Sequence, residues 1–129
     1  MPATQHPPIA DTPEWLTAVR AAESKKAQDI KVLDLRDLTS FADYFIILTG
    51  TNTRQNQAIS DEIYLQMKEA YGSIPVSYEG YTNAEWILMD YGSVLVHIFL
   101  DRARSYYDLE RLWRGAKDVS IPPEDRPTV

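Results

Sequence analysis

Hydrophobic residues recur with two different periods along this chain, and these periods predict where helices and strands lie. Residues 12–27 open with Thr-Pro-Glu, which provides an N-cap, a first-turn proline and an acid, and then place apolar residues on one face. A first helix is therefore predicted. Residues 30–36 alternate as a strand, whereas residues 44–48 (YFIIL) are apolar on both faces. That pattern is typical of a central strand that is covered by helices on both sides.

The middle of the chain predicts a second helix and a short strand. Asn52 and Gln55 form a capping pair after Gly50, and apolar side chains then recur at helical spacing. Gly72 marks the end of this helix, because glycine readily adopts the left-handed conformation that closes a helix. The short strand is expected at residues 75–78.

Residues 86–100 predict a β-hairpin with two unlike faces. Its turn signal, Asp-Tyr-Gly-Ser at residues 90–93, separates two runs rich in aliphatic and aromatic residues. With Tyr91 and Gly92 as the loop, Trp86 would face His97, and the side chains would alternate between the two faces. One face is a purely apolar core surface: Ile87, Met89, Val94, Val96, Ile98 and Leu100. The other is mixed and is expected to need a partner: Trp86, Leu88, Asp90, Ser93, Leu95, His97 and Phe99.

A last helix is predicted after the hairpin, capped by Ser105 with Asp108 and directing Leu109, Leu112, Trp113 and Ala116 inward. The element order predicts one α/β domain of the α+β type, with a mixed, mostly five-stranded sheet flanked by helices. We assign residues 12–118 to this domain. Residues 1–11 are Pro-rich and are predicted to be a disordered extension, and residues 119–129 a flexible tail.

The net charge of the chain and its distribution limit the class of molecule that the protein can bind. The 129 residues carry 13 Lys and Arg against 19 Asp and Glu, a net charge of −6. Neither Lys nor Arg occurs between Lys68 and Arg102, whereas five acids do: Glu69, Glu79, Glu85, Asp90 and Asp101. Since nucleic-acid binding depends on basic contacts to phosphate, little or no direct nucleic-acid contact is expected. The acids either solubilise the surface or complement a basic protein.

Several kinds of site are disfavoured by the sequence. There is no cysteine, so disulfides and thiolate metal sites are excluded, and His97 alone cannot make a zinc site. A triad of Ser93, His97 and Asp90 would lack a nucleophile-elbow sequence. No apolar run approaches the roughly 18 residues that span a bilayer. The N-terminal sequence has no basic or apolar targeting segment, so we predict a cytoplasmic protein. From the preceding observations we also predict no metal, no cofactor and no membrane contact.

One enzymatic alternative remains. A strand that ends at Gly50-Thr51 before a helix N-terminus is similar to the phosphate-holding entry of nucleotidyltransferases. Those enzymes also need closely spaced carboxylates for their metal ions, and the strand predicted at residues 75–78 carries none. A divergent nucleotide-binding protein of that fold is therefore the alternative hypothesis.

Three ordered segments of the sequence resemble the ribosomal silencing factor family, RsfS, also called Iojap. They are residues 39–50 (TSFADYFIILTG) followed by Arg54-Gln55, residues 86–99 (WILMDYGSVLVHIF) and residues 106–113 (YYDLERLW). The resemblance covers residues 12–118. Ser93 departs from the pattern, because family members usually carry aspartate there, and this removes one charge at the hairpin tip.

The resemblance implies a nucleotidyltransferase-like fold without the active site, and a protein that is not an enzyme. Such proteins bind ribosomal protein fourteen of the large ribosomal subunit and block joining of the small subunit. They thereby repress translation under nutrient limitation, and they are also linked to late large-subunit assembly. Free family members are often homodimers, so the same face could serve dimerisation.

The candidate partner-binding residues follow from the hairpin faces and from this resemblance. Trp86 is the expected anchor, although packing in the core is the alternative role for a tryptophan. Asp90 and Asp101 are the expected charge complements. The supporting contacts are Leu88, Tyr91, His97, Phe99 and Tyr106.

Overall fold

Six strands form one mixed sheet in the computed structural model, which describes residues 12–123. The strands are β1 (Gln28–Asp34), β2 (Tyr44–Gly50), β3 (Ser77–Glu79), β4 (Trp86–Asp90), β5 (Val94–Leu100) and β6 (Lys117–Asp118). Their order across the sheet is β3-β4-β5-β2-β1-β6. β2 and β5 run parallel, and the other neighbours are antiparallel. The α+β class is therefore confirmed, with the two-residue β6 added to the five predicted strands.

Two helices cover one face of the sheet, α1 (Glu14–Ser24) and α2 (Thr53–Tyr71). In α2 the predicted cap is confirmed, since Asn52 Oδ1 accepts the Gln55 amide at 2.8 Å, and Gly72 closes the helix at φ 65°. The predicted cap of α1 is wrong. Pro13 occupies the N-cap without a side-chain bond, and the chain leaves the helix after Ser24 rather than near Ala27.

The main core lies between these helices and the sheet. It joins the buried stripe of α2 to the predicted apolar face of the hairpin: Ile59, Ile63, Met67, Ile87, Met89, Val96 and Ile98. Each of these side chains is 0% exposed. Full burial of an aliphatic side chain contributes about 1.5–3 kcal/mol, so this layer contributes strongly to the stability of the fold.

A second, smaller core lies on the opposite face of the sheet. It is covered by α3 (Asp101–Tyr107), α4 (Leu109–Leu112) and the segment between β1 and β2. Its buried members are Leu33, Leu35, Ala42, Phe45, Ile47, Leu95, Phe99 and Ala103. β2 therefore contributes to both cores, which confirms that it is a central strand covered on both sides.

The hairpin register differs from the prediction by two residues. Trp86 pairs with Phe99 and Leu88 with His97, and the Tyr91 amide donates to the Val94 carbonyl at 2.9 Å. The loop is consequently Gly92-Ser93. Because a shift of two residues preserves the alternation of side chains, the two predicted faces are correct.

The C-terminal helix prediction is wrong in its details. Ser105 lies inside α3, and Asp108 adopts φ 48° and separates α3 from α4. Leu112 is 72% exposed, whereas Leu109, Trp113 and Ala116 do pack on the second core. α3 starts at Asp101, before the predicted cap at Ser105. It follows β5 directly, and no side chain caps its N-terminus.

The first residues of the predicted tail contact the domain. The Val119 amide donates to the Val32 carbonyl at 2.9 Å, and Arg20 donates to the Pro122 carbonyl at 2.7 Å. The predictions for residues 1–11 and 124–129 lie outside the described residues. Within residues 12–123, every helix is too short or too polar to cross a membrane.

Candidate protein interface

An exposed aromatic surface lies on the second face of the sheet, beside α3. We call it the Trp86 platform; it comprises Trp86, Leu88, Tyr106 and Tyr107. Tyr107 packs on Trp86 with ring centroids 4.6 Å apart, and Tyr106 meets Tyr107 edge-on at 5.0 Å. Tyr106 is 81% exposed and Tyr107 50% exposed. Tyr107 was not among the predicted contacts, although its neighbour Tyr106 was.

Buried residues hold Trp86 from beneath. Its ring stacks on Phe99 at 5.1 Å, and its Nε1–H donates to His97 Nδ1 at 3.1 Å. Since Nδ1 accepts, the neutral His97 ring carries its proton on Nε2, which has no hydrogen-bond partner within the described residues. Burial lowers the pKa of His97 to about 4. The indole N–H is satisfied internally, so the half-buried Trp86 ring offers a partner apolar contact only.

Acidic side chains flank Leu88 on the platform. In the β3–β4 pair Leu88 lies opposite Glu79, and Asp90 lies opposite Ser77. Side chains that are paired or two residues apart project from the same face, so both acids lie beside Leu88. Glu79 is exposed and was not predicted as a contact. Only the pairing of β3 with β4 reveals its position.

The two predicted charge complements lie at opposite ends of the hairpin. Asp90 closes β4, where its carboxylate accepts the Gly92 amide at 2.8 Å. Asp101 is exposed in the first turn of α3. Six residues separate it from Leu95, the strand partner of Asp90, a distance of about 20 Å along an extended strand. The acids therefore mark the two edges of the platform.

Three predicted contacts are corrected by their burial. Phe99 is 0% exposed and His97 is 4% exposed, so they support Trp86 and do not reach the surface. Tyr91 packs half-buried against the main core, on the opposite side of the sheet from Trp86. Burial raises the pKa of the Tyr91 hydroxyl. The structure thus places Trp86, Leu88 and Tyr106 on one surface, with Asp90 and Asp101 at its opposite ends, and separates Tyr91 from them.

A second aromatic group extends the exposed surface beyond the platform. Phe41, which is 55% exposed, contacts Trp113 at 5.8 Å and Phe45 at 6.1 Å. Phe45 in turn contacts His97 at 4.7 Å, which connects this group to Trp86. Exposed Arg111 and Arg114 lie near Tyr106, so positive charge adjoins the platform on this side.

At the Gly50-Thr51 turn, two of the amides that could hold a phosphate are already hydrogen-bonded. The Thr51 amide already donates to Gln55 Oε1 at 2.6 Å, and the Gln55 amide is capped by Asn52. The cavity at this turn is also lined by two acids, Asp29 and Asp101, against one base, Arg102, so its charge does not favour an anion. Among residues 12–123 there is no group of three or more His, Asp or Glu that could hold a metal ion.

Gly50 has a packing role at this turn. A Cβ there would collide with the side chain of Asn56, which is fully buried and donates to the Ala84 carbonyl at 2.8 Å. This contact joins the start of α2 to the residues before β4. The glycine is therefore explained without a bound phosphate.

Comparison with known proteins identifies the family. The profile described as "Ribosomal silencing factor during starvation" matches residues 9–128. The chain belongs to the ribosomal silencing factor family. The RsfS protein of Chromobacterium violaceum is 42% identical over 100 residues, which are 78% of this chain and 81% of that protein. The resemblance found in the sequence is thereby confirmed.

A structural comparison supports the same assignment for this RsfS family member. A crystal structure of a Chromobacterium violaceum protein is similar, with a TM-score of 0.76 and 38% identity, over 86% of this chain and 91% of that chain. A more distant relative in Mus musculus is named "Mitochondrial assembly of ribosomal large subunit protein 1". It is 31% identical over 97 residues, which are 74% of this chain and 42% of that protein.

Proposed function

We propose that this RsfS family member docks through the Trp86 platform on ribosomal protein fourteen of the large ribosomal subunit. Bound there, it would block joining of the small subunit by steric exclusion and so repress translation under nutrient limitation. The observation that carries this proposal is a partly exposed aromatic surface with the acids Glu79, Asp90 and Asp101 around it. No catalytic step is needed, because placement alone would prevent subunit joining.

The composition of the platform supports a protein partner. Tryptophan and tyrosine dominate the binding energy of protein interfaces when they are well packed and are desolvated on binding. Trp86 and Tyr107 are held in place before binding by their contacts with Phe99 and His97. A preorganised surface loses less side-chain entropy on association. A standard interface buries about 800 Å² per partner, so it would include more of this face than Trp86 alone.

The charge of the platform supports a basic partner. Its acids lie at the edges, where ionic contacts steer association and set specificity. The Glu85–Arg102 ion pair, at 3.4 Å, is exposed at the start of β4 and can rearrange on binding. The name of the mouse relative supports a second role, in large-subunit assembly, which could use the same contact.

Tyr106 offers a cleaner test of this surface than Trp86. Trp86→Ala would leave His97 Nδ1 unpaired and Phe99 uncovered, and is expected to lower the free energy of unfolding by about 2–4 kcal/mol. Lost binding by Trp86→Ala would therefore not separate a role in the interface from a role in the fold. Tyr106 is 81% exposed, so Tyr106→Ala removes a contact without opening a cavity.

The experiment is sedimentation of purified ribosomal subunits through sucrose gradients at a magnesium concentration that permits joining. The wild-type protein should co-migrate with the large subunit and remove the joined peak. Tyr106→Ala and Asp101→Lys should each weaken binding at least about fivefold, which corresponds to about 1 kcal/mol. Ile74→Ala, at a 56% exposed apolar residue outside the platform, is the matched control and should behave as wild type.

Two outcomes would reject the proposal. Wild-type protein that stays at the top of the gradient while subunits join normally would reject ribosome binding. Equal binding by all three folded variants would reject the platform as the contact surface.

A second proposed role of the Trp86 platform is in a homodimer of the free protein, in which the platforms of two copies would pack against each other. Sedimentation equilibrium over a range of concentrations tests this, with Tyr106→Ala expected to shift the equilibrium toward monomer. A wild-type protein that stays monomeric at high concentration would dismiss dimerisation and leave the ribosome proposal intact.

A further inference from the structure

A second exposed aromatic surface lies on the other side of the sheet, between α2 and β3. We call it the tyrosine groove; it is lined by Asp61, Tyr64, Leu65, Tyr78 and Tyr81. The rings of Tyr64 and Tyr78 are stacked with centroids 6.1 Å apart, and Tyr81 meets Tyr78 perpendicularly at 5.8 Å. Leu65 is 47% exposed and Tyr81 is 39% exposed, so the groove is open to a partner.

Hydrogen bonds hold the groove in its shape. The Tyr78 hydroxyl donates to Ser60 Oγ at 2.9 Å, and the Tyr81 hydroxyl donates to Asp61 Oδ1 at 3.0 Å. Gln57 Nε2 also donates to the Tyr81 carbonyl at 2.8 Å, which fixes the loop after β3 to α2. The rings are therefore positioned before any ligand arrives, and binding would cost little further ordering.

The electrostatics of the groove favour a cation. The face of a tyrosine ring has a negative electrostatic potential, because of the ring quadrupole, and attracts ammonium and guanidinium groups. Asp61 is exposed and forms no ion pair within residues 12–123. Its bond from the Tyr81 hydroxyl leaves further acceptor positions on the carboxylate. Lys68, one turn beyond Leu65, does not line the groove.

We propose that the tyrosine groove binds an arginine side chain presented by a basic protein segment. A guanidinium group is planar, so it can lie against a tyrosine face while its N–H groups donate to Asp61. A lysine ammonium would satisfy the charge but would stack less well. This site is separate from the Trp86 platform and does not depend on the function proposed for it.

The test uses the tripeptide acetyl-Ala-Arg-Ala-amide as a probe of the full-length protein by NMR. Its matched control replaces arginine with citrulline, which has the same shape and no charge. The arginine peptide should produce saturable shifts of the ring signals of Tyr64, Tyr78 and Tyr81, and the citrulline peptide should bind at least about fivefold more weakly. Absence of saturable shifts with the arginine peptide, or equal binding of the two peptides, would overturn the proposal.

Variants separate the groove from general attraction to an acidic protein. Asp61→Asn removes the charge at an exposed residue and should weaken the arginine peptide about threefold to fivefold. Glu69→Gln makes the same change of net charge outside the groove and should leave binding unchanged. Equal weakening by both would show non-specific attraction and would refute the site. Tyr106→Ala, on the Trp86 platform, should not affect this probe, so the two proposals can fail independently.

Discussion

At the scale of single residues, the hydrogen bond from Trp86 to His97 is the contact on which the platform depends. The sequence predicted that these two side chains share a face but not that they are bonded. The predicted register placed them opposite each other, whereas Trp86 pairs with Phe99 and reaches His97 diagonally. A pattern of alternating residues fixes the face of each side chain, but only the loop geometry fixes its neighbour across the strands.

Burial of His97 gives the stability of the protein a defined pH dependence. Its pKa is about 4 in the folded protein and 6.5 ordinarily, so the unfolded chain binds the proton more tightly. The stability associated with neutral His97 is fully present above pH 6.5 and is lost as the pH falls toward 4. The difference amounts to about 3 kcal/mol. Urea unfolding at several pH values between 4 and 7 measures it.

His97→Gln separates this effect from the titration of carboxylates. The variant lacks the titrating ring, so its free energy of unfolding should change less between pH 6.5 and 4 than that of wild type. The variant is expected to be less stable than wild type at pH 7, because the imidazole packs against Phe45 and accepts from Trp86. Parallel pH profiles for the two proteins would show that His97 is not the group responsible.

At the scale of secondary-structure elements, a glycine with positive φ lies in the turn on each side of β4. Gly80 at φ +83° lies where a Cβ would collide with the Trp86 carbonyl. Gly92 at φ +89° forms the hairpin loop, and no atom lies within 4 Å of the position that a Cβ would occupy. Both need a conformation that other residues rarely adopt, but only Gly80 also needs the space.

The two glycines therefore form a matched pair of alanine substitutions. Gly92→Ala should lower the free energy of unfolding by about 1–2 kcal/mol, from backbone strain alone. Gly80→Ala should lower the free energy of unfolding by about 1–3 kcal/mol more than Gly92→Ala does, because the backbone of Trp86 must move. Thermal and urea denaturation would measure both. An equal loss in the two variants would mean that the carbonyl contact with Gly80 imposes no constraint.

The helices show where sequence patterns succeed and where they fail. The cap of α2 was predicted correctly because Asn52, Gln55 and Gly72 act through local hydrogen bonds and backbone conformation. The start of the C-terminal helix was predicted wrongly because Ser105 and Asp108 have the spacing of a capping pair without forming one. In the structure Arg104, one residue before Ser105, pairs with Glu110 at 3.0 Å and donates to Thr49, contacts that no local pattern contains. Tyr107 lies in this segment, so its contact with Trp86 could not be predicted from the sequence.

At the scale of the whole molecule, the two faces of the sheet differ in how completely the chain covers them. α1 and α2 cover the first face, whereas α3 and α4 cover only part of the second. The sequence identified the aromatic, acid-rich side of the hairpin correctly. It could not show that Phe99 and His97 would be covered, or that Glu79 would join Asp90, because both facts depend on contacts between distant segments.

The sign of the salt dependence of association can distinguish a protein partner from ribosomal RNA. Acids at the platform edges attract a basic protein, and salt screens that attraction, so the association rate constant with large subunits should fall as salt rises. RNA phosphate would instead repel the acids, and screening would speed association. We expect a decrease of at least about fivefold between 0.05 and 0.5 M salt, measured by stopped-flow fluorescence. Asp101→Asn should flatten this dependence, whereas Glu69→Gln, the same change outside the platform, should alter it little. An association rate that increases with salt would place the contact on RNA and contradict the proposed partner.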